Sequence, residues 1–260
     1  MSIPENGYPR AAEVSPRLHI AQSVDSTNKK LLKDAFDDPD GHPHLSVVVT
    51  RDQRAGRGRL DRTWVTPPDS ALAISVLLRV EAVPTSDRGW IPLVAGAAMA
   101  NAVGAQLEGR EVGLKWPNDV LVGGLKICGI LAEVMPGDPH AVVVGAGVNT
   151  RMTAAELPVP TATSFAALSR TADEDRLLAD YLTRLRDGIS DLSVGGTAAG
   201  LATKAVRDAC TTIGAEVSVS LPDGATLIGS ARGIDDEGRL MVEAAGVTHV
   251  VSAGDVVHVR

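Results

Sequence analysis

Residues 112–149, VGLKWPNDVLVGGLKICGILAEVMPGDPHAVVVGAGVN, decide how this chain is read. Apolar runs at Val112–Lys115, Val120–Val122, Lys126–Met135 and Ala141–Val148 are each broken by Gly, Pro, Asn or Asp. Short apolar runs bounded by turn formers read as strands of one sheet. Pro117 disfavours helical geometry at Trp116, so Lys115-Trp116-Pro117-Asn118-Asp119 is extended and turns sharply after a strand. A lysine, an amide and a carboxylate thereby meet at a strand end, where sheets with helices often bind ligands. Lys126 heads a nearly all-apolar strand and needs a partner or a ligand, because an unpaired buried charge is costly; snorkelling from the strand end is the plainer alternative. Gly145-Ala146-Gly147-Val148-Asn149 fails as a dinucleotide fingerprint, with no third glycine and no helix start. It reads as a strand end whose glycines admit a ligand, with Asn149 as a polar contact.

Towards the N-terminus, residues 1–20 with Pro4, Pro9 and Pro16 read as an irregular lead-in. Asp25-Ser26-Thr27-Asn28 carries a helix N-cap signal ahead of Lys29-Lys30-Leu31-Leu32. Ser46–Thr50 and Ala71–Leu78 read as strands, and Asp87–Leu107 as an Ala-rich helix. Between the two strands lies a loop with arginines at 51, 54, 57, 59 and 62 against acids at 52 and 61. Gly56 and Gly58 let its backbone approach a ligand closely, and arginine suits phosphate or carboxylate. A solvated basic loop and an RNA-binding patch are the rivals, although the patch would repeat and interleave aromatics.

Towards the C-terminus, Leu178, Leu182, Leu185 and Ile189 form one face of an amphipathic helix over Asp173–Ile189. Ser193–Ala199 reads as a linker or a loose helix junction. Beyond it, Glu216–Leu221, Thr226–Ile234, Leu240–Glu243 and Val247–Val259 are short strands separated by tight turns, including Pro222-Asp223-Gly224. That pattern suggests a small β-barrel. The divisions expected are 1–20 for the lead-in, 21–205 for the main domain and 211–260 for the barrel.

The chain is acidic, with a net charge of −7, which argues against a nucleic-acid coat protein. It is 44% hydrophobic and 3% aromatic, so aliphatic residues must build the core. No secretory signal is visible, and the longest apolar stretch, Trp90–Val103, is too short to span a bilayer. A cytoplasmic protein with no membrane or nucleic-acid partner is expected. Cys128 and Cys210 match no metal spacing and read as free thiols. His42 and His44 sit in a polar loop and read as exposed. There is no P-loop, so any ATP use is of another class.

D-S-T-N (25–28), Q-x-A-G-R-G-R-x-x-R-x-W (53–64), K-W-P-N-D (115–119), L-K-x-x-G-I-L-x-E (125–133) and G-x-G-x-N (145–149), in that order, resemble the biotin protein ligase family. The likeness resumes at Ser230–Asp235 and Gly238–Leu240. It implies an α+β fold: a mixed β-sheet catalytic domain packed with helices, of the class II synthetase-like biotin/lipoate ligase type, plus a C-terminal SH3-like β-barrel. It implies ATP, biotin and Mg²⁺ as ligands, a biotinyl adenylate intermediate, and the biotin carboxyl carrier domain of an acyl-CoA carboxylase as acceptor.

By the same resemblance Ser26, Thr27, Gln53, Gly56, Arg57, Lys126 and Gly129 would hold biotin. Arg57, Arg59, Arg62, Trp64, Lys115, Asn118 and Asn149 would hold ATP or the adenylate. Lys126, Arg59 and Asp119 would be catalytic, with Asp119 also beside Mg²⁺. Only about 20 residues precede D-S-T-N, so a short form without an N-terminal helix-turn-helix is expected. No aromatic in Thr150–Thr163 offers to stack on adenine. The alternatives are a lipoate or octanoate ligase on the same fold, a biotin-binding repressor without activity, and an RNA-binding module.

Overall fold

The structure is a computed structural model that describes residues 7–60, 62–64, 66–221 and 224–259. The first six residues of the expected lead-in, Asp61 of the arginine loop and Pro222-Asp223 of the expected turn lie outside the described residues. The described part of the lead-in is not irregular. Pro9–Val14 forms helix α1, with proline at its first turn where no N–H is needed. Leu18–Ile20 forms strand β1. A three-residue strand is set by its neighbour rather than by local pattern, and β1 runs parallel to Val47–Thr50 (β2).

Seven strands make the main sheet. To β1 and β2 it adds Ala71–Arg79 (β5), Val112–Lys115 (β6), Asp119–Val122 (β7), Leu125–Met135 (β8) and Asp138–Asn149 (β9). The order is β1-β2-β5-β9-β8-β7-β6; every pairing but the first is antiparallel, so the sheet is mixed. Eight of the nine residues of β5 are buried, as expected of a central strand covered on both faces. The arginine loop itself contains a two-residue hairpin, Gly56–Arg57 (β3) with Thr63–Trp64 (β4).

On one face lies α2 (Thr27–Asp37), capped by Ser26, with Leu31 and Ala35 packed against Val48, Leu77, Ala141 and Val143. On the other lies α3 (Ile91–Gly104), entered through a 3₁₀ turn at Thr85–Trp90. Ile91, Leu93, Val94, Met99 and Val103 of α3 are buried between the sheet and the helices behind it. Burying each such side chain contributes about 1.5–3 kcal/mol. α4 (Glu174–Val194) buries the leucine face read from sequence and covers α3.

Ser193–Ala199 is the junction between α4 and α5 (Gly196–Ala209), and Gly195 breaks the helix at φ 73°. Helix α5 was not expected, because Gly196, Gly200 and two threonines dilute its helical signal.

The C-terminal part, expected as a small barrel, is a five-stranded antiparallel sheet. Its strands are Glu216–Ser220 (β10), Thr226–Ile234 (β11), Leu240–Ala244 (β12), Val247–Val251 (β13) and Asp255–His258 (β14). They lie in the order β13-β12-β11-β10-β14. Val247–Val259 is therefore two strands rather than one, because the turn Ser252–Gly254 redirects the chain. Val217, Val219, Ala231, Leu240, Val242 and Val256 form its interior, at the period-2 spacing a one-sided sheet requires.

The two parts are bolted together by the tryptophans. Trp116 donates Nε1–H to Gly238 O (3.0 Å) and Trp90 to Asp236 O (2.8 Å). Arg207 stacks on Trp90 with its guanidinium carbon 4.7 Å from the ring centre. Trp116 is buried and structural, and the Trp116–Pro117 peptide is cis.

Candidate active site

One cavity of about 180 Å³ gathers most of the candidate residues. Strand ends, the start of α2 and the arginine loop supply its lining. Ser26, Thr27, Gln53, Arg57, Arg59, Arg62, Trp64, Asn118, Asp119, Lys126 and Gly129 all face it. Gly56, Lys115 and Asn149 do not.

The sheet and α2 build a wall of fixed polar groups. Gln53 Oε1 accepts from Thr27 N (2.8 Å) and Thr27 Oγ1 (3.0 Å), and Gln53 is buried. Asn28 Nδ2 donates to Glu133 Oε2 (2.7 Å), while its Oδ1 accepts from Ser75 Oγ (2.5 Å). The glycines of G-x-G-x-N make room for side chains of the chain itself. A Cβ at Gly145 would overlap Asn28, and one at Gly147 would lie 2.7 Å from the Trp64 indole. Both glycines also line the cavity, where the expectation places a ligand. Gly56 is needed for the same reason: a Cβ there would strike Gln53 and the Trp64 carbonyl.

Lys126 has the partner its position demanded. Its Nζ is 2.5 Å from Asp119 Oδ1, across the β7–β8 pairing that also sets Asp119 opposite Gly129. Asp119 Oδ1 is buried and has no aligned hydrogen-bond donor among the described residues, so the lysine meets its charge but not its geometry. A buried oxygen left in this way can accept a bond from an incoming group. Lys115 lies outside the cavity wall and is half-buried; desolvation pulls its pKa below the usual lysine value, with Asp119 opposing.

The arginine loop is held by ion pairs and backbone. Arg57 reaches Glu133 (2.6 Å), Arg62 pairs with Asp255, and Arg59 Nη1 donates to Asn118 Oδ1 (3.1 Å) and Gly254 O (3.4 Å). Burial lowers the Arg59 pKa, while Asp255 and Asp119 push it back up. Asp255 and Gly254 belong to the C-terminal sheet, so that part of the chain completes the site.

Asn149 is spent elsewhere. Its Nδ2 donates to Thr163 O (2.9 Å), tying down the segment that follows β9. The same region holds a buried hub at Glu174, the first residue of α4. It accepts from Arg51 Nε (2.7 Å), Thr150 Oγ1 (3.1 Å) and Arg151 Nε (3.2 Å), with Tyr8 Oη at 3.4 Å.

Sequence reading assigned no role to Asn28, Glu133, Asp255 or Glu174. The first two stood inside quoted motifs, at the last position of each, and could have been taken up. Asp255 and Glu174 carried no local signal. His42, expected to be exposed, is buried with Nδ1 at 2.8 Å from Asp38 O, and His44 Nδ1 accepts from Arg79 N (3.0 Å). Cys128 is packed under the site, and burial pushes its thiol pKa up.

The Biotin/lipoate A/B protein ligase family profile matches residues 20–149, and the Biotin protein ligase C terminal domain matches 212–259. The biotin–[acetyl-CoA-carboxylase] ligase of Mycobacterium tuberculosis is 40% identical over 256 residues, covering 94% of this chain and 90% of that protein. The chain belongs to the biotin protein ligase family. It is a ligase. The bifunctional ligase/repressor BirA of Escherichia coli is a more distant relative, 30% identical over 90% of this chain and 71% of its own length. The biotin protein ligase fold is matched by the Aquifex aeolicus enzyme in complex with biotin and ATP. That comparison has a TM-score of 0.76 and 22% identity, covering 94% of this chain and 99% of that one. Among the described residues of this biotin protein ligase, no helix is long and apolar enough to cross a membrane.

Proposed function

We propose that this chain activates biotin with ATP as biotinyl-5′-AMP and transfers the biotinyl group to one lysine of a biotin carboxyl carrier domain of an acyl-CoA carboxylase. The observation that carries this reading is the Lys126–Asp119 pair lining the same cavity as Thr27, Gln53 and Arg59. In the first step a carboxylate oxygen attacks the α-phosphorus and the bond to the β-phosphate breaks, releasing pyrophosphate. The demand is charge neutralisation and in-line placement rather than covalent help. Lys126 at the carboxylate and α-phosphate, with Arg57 and Arg59 over the phosphates, meets it.

In the second step the lysine nitrogen attacks the acyl carbon. The bond to phosphate breaks, AMP leaves with the electron pair, and Asp119 accepts the amine proton. Thr27 and Gln53 suit the ureido ring, because an amide and a hydroxyl present both acceptor and donor. Arg62 and Trp64 are assigned to the nucleotide, Gly129 to close backbone approach, and Gly56 to seating Gln53 and Trp64. Asn149 and Lys115 act from behind the wall.

Among the described residues no three metal-ligating side chains converge. Mg²⁺ usually takes one or two carboxylates plus substrate phosphates, and the under-satisfied Asp119 fits that pattern. When bound, the ion would neutralise phosphate charge. We place the protein in the cytoplasm, where its carrier acceptor would be met.

The test is mass spectrometry of a carrier domain incubated with the protein, biotin, ATP and Mg²⁺. One biotinylated lysine that disappears when ATP is omitted supports the reading; no modification, or modification without ATP, overturns it.

A further inference from the structure

Residues 129, 131 and 133 share one face of β8, because side chains alternate along a strand. Gly129 and Leu131 line the catalytic cavity, and Glu133 is the next residue on that face, just beyond the lining. Its carboxylate is divided between two neighbours. Oε2 accepts from Asn28 Nδ2 (2.7 Å), and Oε1 accepts from Arg57 Nη2 (2.6 Å). One oxygen belongs to the wall and the other to the arginine loop.

The two neighbours differ in how firmly they are held. Asn28 is 5% exposed, its Oδ1 accepts from Ser75 Oγ, and its Nδ2 also reaches Leu131 O (3.3 Å). β9 is kept bare to seat this amide, since a Cβ at Gly145 would lie 2.4 Å from Asn28 Oδ1. Arg57 lines the cavity with an exposed side chain and reaches Glu133 through Nη2. A guanidinium carries further N–H groups on its planar fork, and these suit a phosphate or carboxylate.

Relative magnitudes decide what this arrangement does. An exposed ion pair contributes little net stability, so giving up Glu133 for a phosphate costs Arg57 little. Immobilising a long side chain that wanders in water costs an association more. We propose that Glu133 is a positioning residue: anchored by Asn28, it keeps the Arg57 guanidinium at the cavity, so the nucleotide meets an arginine already in place. The proposal rests on the adenylate-forming reading above.

Glutamine at position 133 separates the two contacts. A carboxylate offers both oxygens as acceptors, whereas an amide offers an acceptor and a donor, and both neighbours of Glu133 are donors. Buried Asn28 keeps the acceptor, because an unmet buried donor is costly, and the exposed arginine turns to water. Glu133→Gln thus releases Arg57 and leaves the wall intact.

The experiment uses the full chain as Glu133→Gln, Arg57→Ala and the double variant. Biotin-dependent pyrophosphate release is measured against ATP and against biotin. We expect Glu133→Gln to raise the KM for ATP about threefold to tenfold, the cost of ordering one such side chain. The KM for biotin and the melting temperature should stay at their wild-type values. Arg57→Ala should raise the KM for ATP at least as much, and Glu133→Gln should add nothing to it.

An unchanged KM for ATP in either single variant overturns the proposal. So do effects that multiply in the double variant, or a rise shared equally by ATP and biotin, which would make Glu133 part of the wall alone. Arg57→Ala alters an exposed side chain, so it keeps the test decisive if Glu133→Gln lowers the melting temperature. Absence of biotin-dependent pyrophosphate release from the wild-type protein is a separate failure, that of the ligase reading itself.

Discussion

The two sides of the catalytic cavity are built to different standards. In the wall carried by the sheet and α2 the buried amides have defined partners: Gln53 with Thr27, Asn28 with Ser75 and Glu133. The arginine loop opposite is held by partly exposed ion pairs, Arg57–Glu133 and Arg62–Asp255, with arginine side chains 39% and 64% exposed. Exposed pairs contribute about 0–1 kcal/mol each, whereas a buried donor that loses its acceptor costs about 1–3 kcal/mol. The wall is thus preorganised to recognise one shape. The loop can exchange its carboxylate partners for phosphates at little cost. Hydrogen exchange over residues 54–62 should slow when biotin and ATP are both added, and unchanged exchange would contradict that view of the loop.

Substitutions should reproduce the contrast. The largest effect is expected at the root that wall and loop share. Glu174→Ala leaves Arg51 with its buried charge uncompensated by that carboxylate, and should lower stability by about 3–5 kcal/mol. The urea midpoint reads this, and an unshifted midpoint would remove Glu174 from that role.

Next comes Lys126→Ala. Loss of a group aimed at developing charge typically costs about 10²–10³ in rate. Pyrophosphate release should fall by that factor with the fold retained, and turnover near wild type would exclude the assigned role. Gln53→Ala strips the acceptor from Thr27 and should cost about 1–3 kcal/mol, raising the KM for biotin more than that for ATP. An equal rise in both would mean the wall does not discriminate. Asp255→Asn should do least. It removes one exposed pair worth about 0–1 kcal/mol, an effect that added salt should erase in the wild type too. A large stability loss there would mean the loop is as rigid as the wall.

The sequence made the wall partly legible and the loop's partners hardly at all. D-S-T-N announced an N-cap and Lys126 announced the need for a counter-ion; both are local statements, and the structure places Ser26 and Asp119 accordingly. The five motifs pointed to the fold because their order is a property of the linear chain. Asp255 lies 193 residues from Arg62, and nothing near either residue encodes their meeting. Glu174 looked like an ordinary acidic residue in the first turn of a helix. The partner of Trp116 was not legible, because its buried indole N–H anchors a turn 122 residues away. Helix α5 and strand β1 were missed for opposite reasons, one diluted by glycine and the other too short to show a period.

The most direct test of the account is pyrophosphate release from ATP and Mg²⁺, with biotin and lipoate offered separately and no acceptor present. The account predicts release that depends on biotin and does not respond to lipoate. A lipoate-dependent signal would keep the fold and the adenylate chemistry but contradict the assignment of Thr27 and Gln53 to biotin. Silence with both would contradict the central claim that this cavity forms an acyl-adenylate.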